Sequence, residues 1–265
     1  MRCTTYKSAL DDTPAKVPAK PNTDKPDAAK PGADKPDAAP QEPKYTIEPV
    51  LPPDEAVKQA LAAFDRLDQS GDVQKEAAEI NRLYKIVLDS AKDNPWLAYI
   101  RGRSAILSGR IVDGMQDLEA FAKTTPGQSD WKTFRILGDL HVKDYPRLAE
   151  GKYRQALALN DREPTILLGL SQAQFRLGQR KEALQMAERA VQLDAGKTVT
   201  YLDNFAAMLR LDGENDKAQL DRAAGVVNQA VQIVQAAIKE RPTDPSLLQL
   251  LATEYESALI VLRDI

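Results

Sequence analysis

A self-similarity of about 34 residues constrains this chain more than any other feature of its sequence. Ala149, Ala156 and Leu159 recur as Ala183, Ala190 and Leu193, each 34 residues later, and Gly178 recurs at Gly213 after 35. Gly102, Gly109, Gly114, Phe121 and Pro126 take corresponding places in an earlier unit. A fixed period of this length signals a supersecondary unit that buries its apolar face by stacking on copies of itself. The small residues fit that purpose. Alanine stands where two antiparallel helices nearly touch, and Gly178 permits the positive-φ turn between them.

Proline divides the chain into two territories. Eleven of the seventeen prolines fall between Pro14 and Pro53, in a stretch where Asp-Lys-Pro-Asp-Ala-Ala begins at Asp24 and again at Asp34. The apolar side chains there are mostly alanine, too small to build a core, so 1–52 reads as a disordered Pro/Ala/Lys/Asp-rich tether. As a loose coil it spans roughly 35–40 Å. The other six prolines (Pro95, Pro126, Pro146, Pro164, Pro242, Pro245) lie between helical stretches, where a helix start tolerates them. Apolar residues at helical spacing predict helices over 54–69, 72–92, 95–108, 110–124, 130–143, 146–160, 164–177, 180–194, 199–211, 216–241 and 245–263. The second helix after Gly213 carries about a dozen extra residues, so a longer or broken helix is expected there.

The unit from Pro164 to Ala195 is the clearest: Leu167 and Leu170, Gly178 at the turn, then Ala183, Ala187 and Ala190. This pattern resembles the tetratricopeptide-repeat (TPR) family, well over 95–197 and loosely on either side. It departs from the family at Ser171, where glycine is usual, and at Ala195, where proline is usual. The resemblance implies an all-α, right-handed helical solenoid of helix-turn-helix repeats over 53–265, and a protein-protein interaction scaffold.

In such a stack the first helices of successive units line the concave surface. By that alignment the binding face comprises Tyr99, Arg103, Arg135, Asp139, Gln172, Phe175, Arg176, Asp203 and Asn204. Arg103, Arg135 and Arg176 project from three neighbouring units and suit an acidic or C-terminal carboxylate group on an extended peptide. The clamp by which some family members hold a chaperone C-terminus is not matched: Arg103, Asp139 and Gln172 occupy its aligned slots, and Asp139 would repel a carboxylate.

Chemistry has little to work with. His141 and Cys3 stand alone, so neither a nucleophile-base pair nor a zinc site is expected, and no phosphate-binding glycine loop appears. Carboxylate pairs such as Asp113 and Asp117 read as solvated helix faces. The chain is therefore read as a non-enzyme without cofactor or metal. A net charge of −3 gives no basic face for nucleic acid. The Met1–Tyr6 segment has no hydrophobic signal core, and no run reaches membrane-span length, so the compartment stays open between cytoplasm and bacterial envelope.

The end of the chain is unusually apolar. Leu247, Leu248, Leu250, Leu251, Leu259, Ile260, Val261 and Leu262 cannot share one narrow stripe, whereas a terminal repeat normally has a polar outer face. Residues 245–263 are expected to continue into a further segment or to self-associate. The alternative function is an accessory TPR segment of a larger enzyme or of an envelope or secretion assembly.

Overall fold

The computed structural model describes residues 51–213 and 216–264. The tether read at 1–52 falls outside them, apart from Leu51 and Pro52. Twelve helices and no strand occur among the described residues. They are α1 (Pro53–Ser70), α2 (Val73–Ser90), α3 (Trp96–Leu107), α4 (Ile111–Phe121), α5 (Thr125–Gln128), α6 (Trp131–His141), α7 (Pro146–Leu159), α8 (Pro164–Arg176), α9 (Arg180–Leu193), α10 (Val199–Asp212), α11 (Lys217–Glu240) and α12 (Pro245–Asp264).

Local chemistry sets the boundaries. Pro53, Pro146 and Pro164 open their helices, where the missing N–H is no loss. Asp72, Asp130 and Asp216 cap theirs by accepting a backbone N–H, from Thr133 at 3.0 Å in the case of Asp130. Gly109 and Gly178 take φ of +79° and +78° and make the same turn. In both, the following N–H reaches back five residues, Arg110 to Ala105 and Gln179 to Gln174, each at 2.9 Å. Gly213 differs. Its φ is −93°, and glycine is needed there for space, because a Cβ would lie 2.5 Å from the Gln219 Cβ.

The helices pair as α1/α2, α3/α4, α6/α7, α8/α9 and α10/α11, and α12 packs on α11. The second helix of a pair also meets the first helix of the next, as α7 meets α8 and α9 meets α10. First helices touch one another along α6, α8 and α10. Ala149, Ala156, Ala183, Ala187 and Ala190 are all buried at these contacts, in the role the repeat assigned to them. Ala149 and Ala156 share a cluster with Phe134, Tyr153, Ile166 and Leu170, and Ala183 and Ala187 share one with Phe205, Met208, Leu209 and Val227.

One feature was not anticipated, and one open alternative is decided. The one-turn α5 follows Thr124, whose hydroxyl accepts the Gly127 N–H, and four residues are too few to show a period. The long second helix is one unbroken 24-residue α11, buried along Leu220, Ala223, Val227, Ala230, Val231 and Val234.

Candidate ligand-binding face

Three consecutive first helices, α6, α8 and α10, carry seven of the nine expected residues, all of them exposed or half-buried. Arg176 is exposed and makes no ion pair among the described residues. Gln172 is half-buried. Asn204 Oδ1 accepts from Ser171 Oγ at 3.4 Å, linking α8 to α10. Asp139 is 44% exposed; it accepts from Arg135 Nη1 at 2.6 Å and from the Tyr153 hydroxyl at 2.7 Å. Open to water yet ringed by protein, its carboxyl is raised by desolvation, against the pull of Arg135 and Tyr153. Tyr153 is itself raised by burial and by the Asp139 charge.

Tyr99 and Arg103, on α3, sit deeper, while Phe175 and Arg135 are half-buried and held by neighbours. Tyr99 is buried edge-on to Phe64 and Trp96 and tilted against Phe121, and burial pushes its hydroxyl up to about 12. Arg103 is 7% exposed. It lies 4.6 Å over the Phe64 ring, donates to the Tyr99 hydroxyl at 2.9 Å and forms a two-pronged pair with Asp68 at 2.6 and 3.1 Å. Phe175 packs half-buried against the cluster of Ala183, Ala187 and Phe205. Arg135 is only 18% exposed, held by Asp139 with Asp68 at 4.0 Å. Of the three arginines read as a row, two are thus engaged by carboxylates of the chain itself.

Of these carboxylates, Asp139 was expected on the face, whereas Asp68 is what the sequence reading missed. Asp65 and Asp68 on α1, with Trp131, Lys132 and Arg135 on α6 and Glu163 and Thr165 at the start of α8, line a cleft of about 350 Å³. Lys132 pairs with Asp65 there. The available signal was the spacing of Asp65 and Asp68, three apart and on one helix face, beside Phe64. The second omission is Glu254. It is fully buried on α12 near Asp203, and among the described residues no cation acts on either carboxyl. Burial, then the hydrogen bond and charge of Asp203, push Glu254 up to about 8. Asp203 is raised as well, by desolvation, although its hydrogen bond with Glu254 opposes this. Both carboxyls are thus held towards their neutral forms.

What the face can do is recognise polar groups. Amides at Gln172 and Asn204, an exposed guanidinium at Arg176 and an accessible carboxylate at Asp139 offer hydrogen bonds across three units, while the deeper charges lock the helices together.

No family model matches the chain. Cellulose synthase operon protein C of Xanthomonas axonopodis pv. citri (strain 306) is 26% identical over 193 residues, which is 73% of this chain and 12% of that protein. This chain thus spans only a small part of the curated relative it matches. Among solved structures, a thermophilic TPR protein of Thermus thermophilus superposes with a TM-score of 0.52 at 16% identity, over 77% of this chain and 98% of that one. MamA (residues 41 to the end) of Desulfovibrio magneticus RS-1 gives 0.50 at 17% identity, over 72% and 98%. With its paired helices, αL-glycine turns and alanine contacts at a period of 34, the chain has a fold similar to that of tetratricopeptide-repeat proteins.

Proposed function

We propose that the chain is a non-enzymatic scaffold that holds an extended segment of another protein across the first helices α6, α8 and α10. One observation carries this reading: Asp139, Gln172, Arg176 and Asn204 come from three consecutive units, remain at least partly accessible, and stand on helices whose other faces are packed. Amide side chains at that spacing can read a peptide backbone, whose donors and acceptors repeat along an extended strand. The engagement of Arg103 and Arg135 by Asp68 and Asp139 turns the preference away from a bare carboxylate and towards a segment of mixed polarity. Selection of displayed peptides on the full chain tests the reading. Binders are expected whose capture is lost on the Gln172→Ala, Arg176→Glu double variant. Failure to select any, or binders indifferent to that variant, would count against it.

A second reading has its own support. The likeness to a small part of cellulose synthase operon protein C favours an accessory TPR segment within a larger enzyme or envelope assembly. Co-purification with such an assembly, lost in the same double variant, would distinguish it from a free-standing scaffold.

A further inference from the structure

Midway along the stack, the second helices α4 and α7 leave a cleft between them. Its volume is about 470 Å³, and Met115, Glu119, Ala120 and Lys123 of α4, His141 of α6 and Leu148 of α7 line it. The Lys152 ammonium of α7 donates to Glu119 of α4 at 3.0 Å and fixes the register of the two helices. Val112, three residues before Met115 and seven before Glu119, continues that side of α4. Tyr145 stands edge-on to His141, with 6.1 Å between ring centres. Val112, Tyr145 and Leu148 are 62%, 61% and 55% exposed.

The same construction recurs beside the second helices α9 and α11, in a cleft of about 370 Å³. Gly109 and Gly178 make the same turn ahead of α4 and α9 and lie 69 residues apart (178 − 109 = 69), so Met115 corresponds to Leu184 and Glu119 to Glu188. Arg222 of α11 pairs with Glu188 as Lys152 of α7 pairs with Glu119. The exposed positions differ. Val112 corresponds to Lys181, which lines the second cleft. Leu148, four residues before Lys152, corresponds to Ala218, four before Arg222. The stack therefore forms with a lysine and an alanine at these places, and its own packing does not account for an exposed valine and leucine. Clustered apolar side chains left in water mark an interface.

We propose that the α4/α7 cleft docks an amphipathic helix of another protein, one that carries a carboxylate beside its apolar ridge. A channel between two helices takes the side-chain ridge of a third, with apolar anchors three and four residues apart. Charge selects the acidic flank. Lys123 lines the cleft, is exposed and makes no ion pair among the described residues, whereas Glu119 is already held by Lys152. In the turn between His141 and Leu148, Lys143 and Arg147 stand against Asp144 alone. An incoming carboxylate at Lys123 therefore meets a cation without a rival, while an incoming cation meets an excess of its own sign. The inference stands apart from the α6–α10 face and does not depend on it.

Selection of displayed helix-forming peptides on the full chain, followed by calorimetric titration of the best binder, is the test. Binders are expected to carry large apolar residues three and four apart with Asp or Glu on one flank. Val112→Lys with Leu148→Ala, which copies the α9/α11 cleft, should weaken the binder by about tenfold or more at unchanged Tm. Lys123→Glu should weaken it too, and a peptide with lysine in place of its acid should recover the loss. Gln172→Ala with Arg176→Glu should leave this binder unaffected, which separates the cleft from the α6–α10 face. Failure to select any peptide sensitive to Val112→Lys with Leu148→Ala overturns the proposal, as do binders with a basic flank or binders indifferent to Lys123→Glu. Phosphatidylglycerol vesicles captured through the same two residues would make the patch a lipid surface, and sedimentation showing a dimer lost in that double variant would make it a contact between copies; either result overturns the proposal as well.

Discussion

The Tyr153 hydroxyl donates to Asp139 Oδ1 at 2.7 Å, and so ties the core of the stack to its accessible face. Tyr153 is 1% exposed and lies between two first helices that both carry glycine where they meet its ring. A Cβ on Gly138 would come within 2.7 Å of the ring, and one on Gly169 within 2.3 Å. The α7 tyrosine thus fills the space that two missing side chains leave on α6 and α8, and its polar end holds Asp139 in place.

Overpacking that space has a measurable effect. Gly169→Ala is expected to destabilise the chain by about 1–3 kcal/mol, because a buried ring cannot step aside. Combining it with Tyr153→Leu should recover part of the loss. Denaturant midpoints of the single and double variants check this; equal losses for both would place the ring elsewhere.

Asp68 and Asp65 should behave differently, although they lie three residues apart on α1. Asp68→Asn leaves the buried Arg103 guanidinium without its anionic partner, at a cost on the order of 3 kcal/mol. Asp65→Asn removes a pair whose carboxylate is 46% exposed and should cost under about 1 kcal/mol. Thermal unfolding of the two variants separates them, and similar small losses would mean Arg103 is not pinned.

Glu254 sets a pH dependence. Its folded pKa of about 8 lies above the ordinary 4.5, so the folded chain keeps a proton that the unfolded chain has released. The contribution is fully present below the unfolded value and is lost as pH rises towards the folded one, at about 1.4 kcal/mol per pH unit for one proton. Asp203, also raised, acts in the same direction. Wild type should lose stability relative to Glu254→Gln between these two values. Parallel stability profiles would show that no proton is held there.

The buried alanines offer a further check. Ala183 and Ala190 are 0% exposed, and replacing either with leucine should cost about 1–3 kcal/mol by prising α9 from its neighbours. Denaturant midpoints equal to the parent's would remove these alanines from the helix contact.

The architecture was legible because its signals are local or periodic. Pro146 and Pro164 mark helix starts, Gly109 and Gly178 mark turns, and the alanine ladder marks close contacts. Gly213 shows the limit: the same period placed it, but it serves close packing rather than a left-handed turn. For the candidate face, alignment identified which residues lie on first helices, Asp139, Gln172, Arg176 and Asn204 among them. It gave no view of partners across units. Arg103 meets Asp68 from 35 residues away, and Tyr153 meets Gly138 and Gly169 from either side. A charge that looks available in one dimension is neutralised by a carboxylate that only the stacking brings near. Glu254 went unread for the opposite reason. Its place in the middle of an inward apolar stripe is visible in the sequence, but Asp203 lies on a different helix.

The central claim, that α6, α8 and α10 present the ligand-binding face, is tested most directly by calorimetric titration of a selected peptide into the full chain and two variant sets. Gln172→Ala with Arg176→Glu should weaken binding by about tenfold or more, which is about 1.4 kcal/mol, without changing thermal stability. Glu182→Lys with Arg189→Glu, on the second helix α9, should leave the affinity unchanged. Equal loss from both sets, or loss from the α9 set alone, would contradict the account.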